Sequence, residues 1–130
     1  MENDNQPLVS VVIPCYNHAQ YVQDCIQSVI NQTYQNIELI IIDGGSIDGT
    51  IDIIKKYDEY ISFWSSEPDN GIYDAMNKGV NQATGDYILF LGADDWLLDK
   101  DIIARIIPVL PSADVIVGTV LSVHEELGVE

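Results

Sequence analysis

Apolar positions along this chain change their period in a regular order. Leu8-Val9-Ser10-Val11-Val12-Ile13 is a β-branched run stopped by Pro14, which predicts a first strand. Tyr21, Val22, Cys25, Ile26, Val29 and Ile30 then recur at helical spacing, with Gln20, Gln23, Asp24 and Gln27 outside the stripe. A second strand is predicted over Ile37 to Ile42, ending on Asp43. The turn cluster from Asp43 to Thr50 leads into a helix reaching about Tyr57, with Ile51, Ile54 and Tyr57 on one face. Ile61 to Trp64 reads as a short third strand, and Ile72, Met76, Val80 and Ala83 as the apolar face of a helix ended by Thr84-Gly85. Tyr87 to Leu91, an unbroken apolar run between Gly85 and Gly92, predicts a parallel strand covered on both faces. Ile102, Ile103, Ile106 and Ile107 then predict a helix closed before Pro108, and Val115 to Val120 a fifth strand.

Strands and helices therefore alternate, which is the pattern of a doubly wound α/β layer with a mostly parallel sheet and helices on both faces. One domain is expected over residues 8–123, with a disordered N-terminus at 1–7 and a frayed tail at 124–130. In such folds ligands bind beyond the carboxyl ends of the strands. Tyr16, Asp43 and the pair Asp94-Asp95 all fall at those ends, so the topology brings them to one edge.

Charge changes the picture more than composition does. Hydrophobic and charged contents of 47% and 20% are ordinary, but 21 acids against 5 bases give a formal charge of −16. This excludes the basic footprint that nucleic-acid binding needs. It also repels phosphorylated ligands unless a cation reverses the potential locally. Met1 to Pro7 is polar and acidic, and no apolar run reaches a membrane span, so a cytoplasmic location is expected, with the inner face of the membrane as a second placement. Cys15 and Cys25 read as reduced thiols without zinc-ligand spacing.

Each candidate residue has two readings. Asp94 and Asp95 can hold a divalent metal, since adjacent carboxylates repel unless a cation offsets them; they can equally cap a helix. Asp43 can bond a nucleotide or stabilise the Gly44-Gly45 bend. The absence of G-x-G-x-x-G argues against a dinucleotide fold, and the first strand lacks the acid pair of a phosphate-receiving domain. Tyr16 can stack on a base or simply pack. Lys78 can meet a diphosphate or pair with Asp74 one turn earlier. Trp64 and Trp96 read as core or pocket wall, and His18 and His124 receive no role.

Four ordered stretches resemble family 2 glycosyltransferases of the GT-A fold. They are Val9 to Asn17 with Ser28 to Tyr34; Ile42 to Thr50; Ser66 to Gly79; and Ala83 to Asp86 with Gly92 to Asp95. The resemblance implies a nucleotide-diphosphate sugar donor, a saccharide or lipid-linked acceptor, Mg2+ or Mn2+, and inverting transfer in cell-envelope or polysaccharide synthesis. By position, Pro14 and Tyr16 would line the base pocket and Asp43 would contact the nucleotide. Asn77 and Lys78 would lie beside the diphosphate, and Asp94 and Asp95 would hold the metal, Asp94 also contacting the donor.

Gly92 and Gly44 depart from the family pattern, standing where many members carry an acid. The resemblance places the general base in an acceptor half beyond Glu130, so the fold is expected in truncated form and no catalytic base is assigned. A non-catalytic nucleotide-sugar-binding or interaction domain is the alternative, and an exposed sheet edge offers it a route to a homo-oligomer. A metal-dependent nucleotidyltransferase is weaker, because Pro14 to Gln20 lacks the basic glycine-rich loop it needs.

Overall fold

The computed structural model describes residues 6–110 and 115–116. Five strands, β1 (Val9–Cys15), β2 (Ile37–Asp43), β3 (Phe63–Ser66), β4 (Tyr87–Phe90) and β5 (Val115–Ile116), form one sheet in the order β3-β2-β1-β4-β5. Every neighbouring pair is parallel. Four helices, α1 (Val22–Ile30), α2 (Thr50–Lys56), α3 (Ile72–Gln82) and α4 (Ile102–Ile106), make the crossovers. The sequence reading of a doubly wound parallel α/β layer is therefore what the chain builds.

The pleat of β1 divides the core. Val9, Val11, Ile13 and Cys15 face Val22, Cys25 and Ile26 of α1, Ile54 of α2 and Ile102 and Ile103 of α4. Val12, Ile40, Ile42 and Phe90 face Ala75 of α3 on the other side. With both faces covered, β1 is buried along its whole length, which explains why Ser10 is its only polar residue.

Three elements differ from the sequence reading. The third strand lies two residues later than Ile61 to Trp64. Ile61 is buried but belongs to the connection, and the Ser62 N–H donates to Leu39 O at 2.8 Å to open the ladder at Phe63. Hydrogen-bond register, not apolarity, decides where this strand starts.

The face of α3 is also rotated. Ala75 and Gly79 are buried, while Ile72 and Val80 are exposed. The cause is close approach: a Cβ on Gly79 would stand 2.3 Å from Val12 Cγ1. The helix turns its smallest residues to the sheet. Gly79→Ala should accordingly cost about 1–3 kcal/mol despite the better helix propensity of alanine, measured as a lowered urea midpoint with unchanged slope. An unchanged midpoint would mean that helix and sheet separate easily.

Pro108, expected just after the last helix, lies inside a 3-10 turn, Ile107–Val109, that extends α4. Of the predicted fifth strand, Val115 and Ile116 pair with β4; residues 117–120, His124, Glu125, Glu126 and the rest of the tail lie outside the described residues. At the other end Gln6 is already held, its carbonyl accepting from Asn36 Nδ2 at 2.8 Å.

Candidate functional site

The strand order reverses at β1, whose neighbours β2 and β4 are reached by crossovers in opposite directions. This switch point opens a crevice at the carboxyl ends of β1 and β4. One part of it is a cleft of about 230 Å³ lined by Pro14, Tyr16, His18, Asp69, Ile72 and Ala75, among others. Tyr16 is 56% exposed at its mouth. An exposed ring above a mostly apolar wall suits a flat, partly aromatic ligand.

The loops bounding the cleft are stitched together. Asn17 sits in the left-handed region at φ 55°, a conformation asparagine tolerates better than most residues. That geometry lets its N–H donate to Ser46 Oγ at 2.7 Å while its Oδ1 accepts from the Ile47 N–H at 3.0 Å. His18 N–H donates to Thr50 Oγ1 and Ala19 N–H to Asp48 Oδ2. The backbone after β1 is thus held against the start of α2.

Asp43 anchors this arrangement from below. It has no exposed surface, and its carboxylate accepts from the N–H groups of Gly45 and Ser46, the hydroxyls of Ser46 and Ser66, and the Cys15 thiol. Burial pushes its pKa up, but the bonds from Ser46, Ser66 and Cys15 outweigh that and hold it below the ordinary aspartate value. In this geometry Asp43 shapes the loop. Cys15 is driven the other way: burial, and then Asp43 itself, raise its thiol well above its ordinary value. It remains a protonated donor.

The second part of the crevice is the loop after β4. Leu91 and Ala93 are buried, whereas Asp94 and Asp95 are exposed. Asp94 Oδ1 and Asp95 Oδ2 each lie 3.2 Å from the point a Cβ on Gly92 would occupy. The missing side chain at 92 therefore leaves a small space on which two carboxylates converge. Beneath it Cys25 donates its S–H to the Gly92 carbonyl at 3.5 Å. Burial, then Asp95 and Asp94, raise that thiol, so it offers no thiolate to a soft metal. Two carboxylates facing one space suit a hard divalent cation. No cluster of three or more His, Cys, Asp or Glu able to hold a metal occurs among the described residues. The pair would need ligand oxygens and water to complete a coordination shell.

Lys78 is not brought into the cleft. Its Nζ lies 3.2 Å from Glu67 and 3.7 Å from Asp74, beside a separate depression lined by Ile42, Phe63, Ser65 and Gln82. Pairing with Asp74, one of the two readings of its spacing, is thus realised. Asn77 is exposed on the same helix. Trp64 is half-buried with its indole N–H on Asp58, and Trp96 is 45% exposed rather than in the core. Ser46, Ser66 and Asp69 were not singled out from sequence. The turn residues around them were the only signal, and their partners lie on other loops.

Against this geometry the comparisons with known proteins are consistent. The model of a family described as "Glycosyl transferase family 2" matches residues 10–128. A "PGL/p-HBAD biosynthesis glycosyltransferase" of Mycobacterium tuberculosis is 42% identical over 103 residues, covering 77% of this chain and 40% of that protein. A "Putative teichuronic acid biosynthesis glycosyltransferase TuaG" of Bacillus subtilis is 42% identical over 99 residues, covering 73% and 39%. The chain thus spans about two fifths of the length of these curated relatives.

Among solved structures, a mannosyltransferase of Pyrobaculum calidifontis in complex with GDP-Man and Mn2+ superposes with a TM-score of 0.71 at 25% identity. It covers 76% of this chain and 31% of that one. Staphylococcus aureus TarS 1-349 with UDP-GlcNAc gives 0.70 at 26%, covering 75% and 29%.

Proposed function

The chain belongs to glycosyl transferase family 2 and has the GT-A fold, and from that premise we propose that it is the donor-binding half of a metal-dependent glycosyltransferase. The observation that carries the reading is the switch point. It places the Pro14–Tyr16 cleft and the Asp94-Asp95 pair at the ends of two hydrogen-bonded strands, β1 and β4.

In this reading the nucleotide base enters the cleft against Tyr16, and Pro14 walls it. The loop anchored by Asp43 supports the base from below. The diphosphate lies toward Asp94 and Asp95, which hold Mg2+ or Mn2+, Asp94 also facing the donor. The ion, when bound, neutralises charge on the leaving nucleoside diphosphate. That neutralisation answers how a chain of charge −16 accommodates a dianion.

Asn77 and Lys78 approach a diphosphate in this reading only if Lys78 leaves Glu67 and Asp74. Transfer with inversion to a saccharide or lipid-linked acceptor, in cell-envelope or polysaccharide synthesis, completes the reading, and the relatives named for PGL/p-HBAD and teichuronic acid biosynthesis support it. No described residue is assigned as the base that deprotonates the acceptor. No helix among the described residues is long and apolar enough to cross a membrane.

Mn2+ together with UDP or GDP should raise the unfolding temperature by several degrees, because a ligand at a hundred times its Kd stabilises by about 2.7 kcal/mol. Mn2+ alone should give a smaller rise. A melting curve unchanged by every nucleoside diphosphate would remove the reading.

A further inference from the structure

The cleft contains a carboxylate for which the fold has made room. Asp69, in the loop between β3 and α3, lines it beside Pro14, Tyr16 and Ile72. Its carboxylate rests on Gly44. A Cβ at 44 would stand 3.0 Å from Asp69 Oδ2, 3.1 Å from Oδ1 and 3.2 Å from Cγ. Gly44 does not have the left-handed φ that Gly45 has, so space rather than backbone conformation calls for glycine there. Asp69 Oδ1 accepts from the Gly71 N–H at 3.0 Å, which fixes the side chain. Oδ2 takes no hydrogen bond from any described residue.

The other acid at this edge, Asp43, has no surface to offer. His18, also on the wall, already accepts the Tyr16 N–H on Nδ1. Among the described residues, Asp69 is therefore the one acidic group lining a cleft whose other walls are mainly apolar.

Resting on the donor-binding reading above, we propose that Asp69 reads the base and selects those that present a ring N–H. A carboxylate only accepts hydrogen bonds. Uracil and thymine carry a hydrogen on N3 and guanine on N1, and each can donate to Oδ2. Cytosine N3 and adenine N1 present lone pairs at that ring position, which repel Oδ2, so these bases reach it only by shifting to donate from the exocyclic amino group instead. Discrimination thus comes from rejecting the wrong base as much as from holding the right one.

Calorimetric titration of the 130-residue chain with UDP, GDP, CDP and ADP in Mn2+ tests this. UDP or GDP should bind at least about tenfold more tightly than CDP and ADP. Asp69→Asn, whose amide can donate as well as accept, should shrink that ratio to within about threefold, partly by gaining CDP or ADP. Gly44→Ala keeps the carboxylate but forces it off its seat, and should shrink the ratio in the same way. Urea midpoints near that of the parent chain check that both variants keep the cleft.

An unchanged ratio in Asp69→Asn, or equal binding of all four nucleotides by the parent chain, overturns the inference while leaving donor binding intact. No binding of any nucleotide overturns both.

Discussion

Asp43→Ala should cost about 3–5 kcal/mol of folding stability at pH 7, a large part of the 5–15 kcal/mol typical of a domain. The loss follows from what the carboxylate holds. It accepts five donors from four residues on three separate segments, two of them the backbone N–H groups of Gly45 and Ser46. A buried donor left unpaired costs about 1–3 kcal/mol. Asp43→Asn should cost only about 1–2 kcal/mol, because the amide oxygen can keep both backbone donors while a serine hydroxyl turns to accept from its NH2.

The two variants separate again in acid. The folded pKa of Asp43 is depressed, so its contribution is complete above the unfolded value, near 3.9, and is lost as pH falls through the lower folded value. The parent chain should therefore lose stability steeply below about pH 4, and Asp43→Asn should lack that part of the decline. Urea midpoints collected from pH 3 to 7 measure both effects. Equal midpoints for Asp43→Ala and the parent at pH 7 would mean that the loops keep their form without the anchor.

Asp94→Asn with Asp95→Asn should weaken nucleoside diphosphate binding in Mn2+ by about a hundredfold or more, roughly 2.7 kcal/mol. It should barely change the stability of the unliganded chain. The contrast is the informative part. Both carboxylates are exposed and converge on the space at Gly92, and asparagine keeps the size and an accepting oxygen at each position, so the substitution relieves repulsion with little loss of contacts. A structural acid pair would behave in the opposite way, losing stability and leaving binding intact. Titration calorimetry beside urea unfolding distinguishes the two.

Most of the fold was legible because the core is divided by simple periods. β4 is an unbroken apolar run, β1 and β2 are apolar apart from Ser10, Glu38 and the terminal Asp43, and the stripe of α1 buries Val22, Cys25, Ile26 and Val29 as its spacing predicts. Apolarity misled where geometry took precedence. Ile61 is buried without being in a strand, and Ile72 and Val80 are exposed because Gly79 sets the approach of α3 to Val12.

The candidate site was legible only as an edge of the sheet. Tyr16 and the Asp94-Asp95 pair follow strands at the switch point, and position alone brings them there. What Asp43 and Asp69 do was not legible. Ser66 reaches Asp43 from 23 residues away and Cys15 from 28, and the seat of Asp69 on Gly44 exists only once β2 and β3 are in register. Such contacts leave no period in the sequence.

Crystals of the chain grown with Mn2+ and UDP or GDP, measured at the manganese absorption edge, decide whether the cleft and the acidic pair form one site for a nucleoside diphosphate and a divalent cation. An anomalous peak is expected between the diphosphate and the carboxylates of Asp94 and Asp95, with the base in the cleft against Tyr16 and Asp69. A manganese ion bound elsewhere, or a nucleotide seated in the depression beside Lys78 with the cleft empty, would overturn the one-site reading.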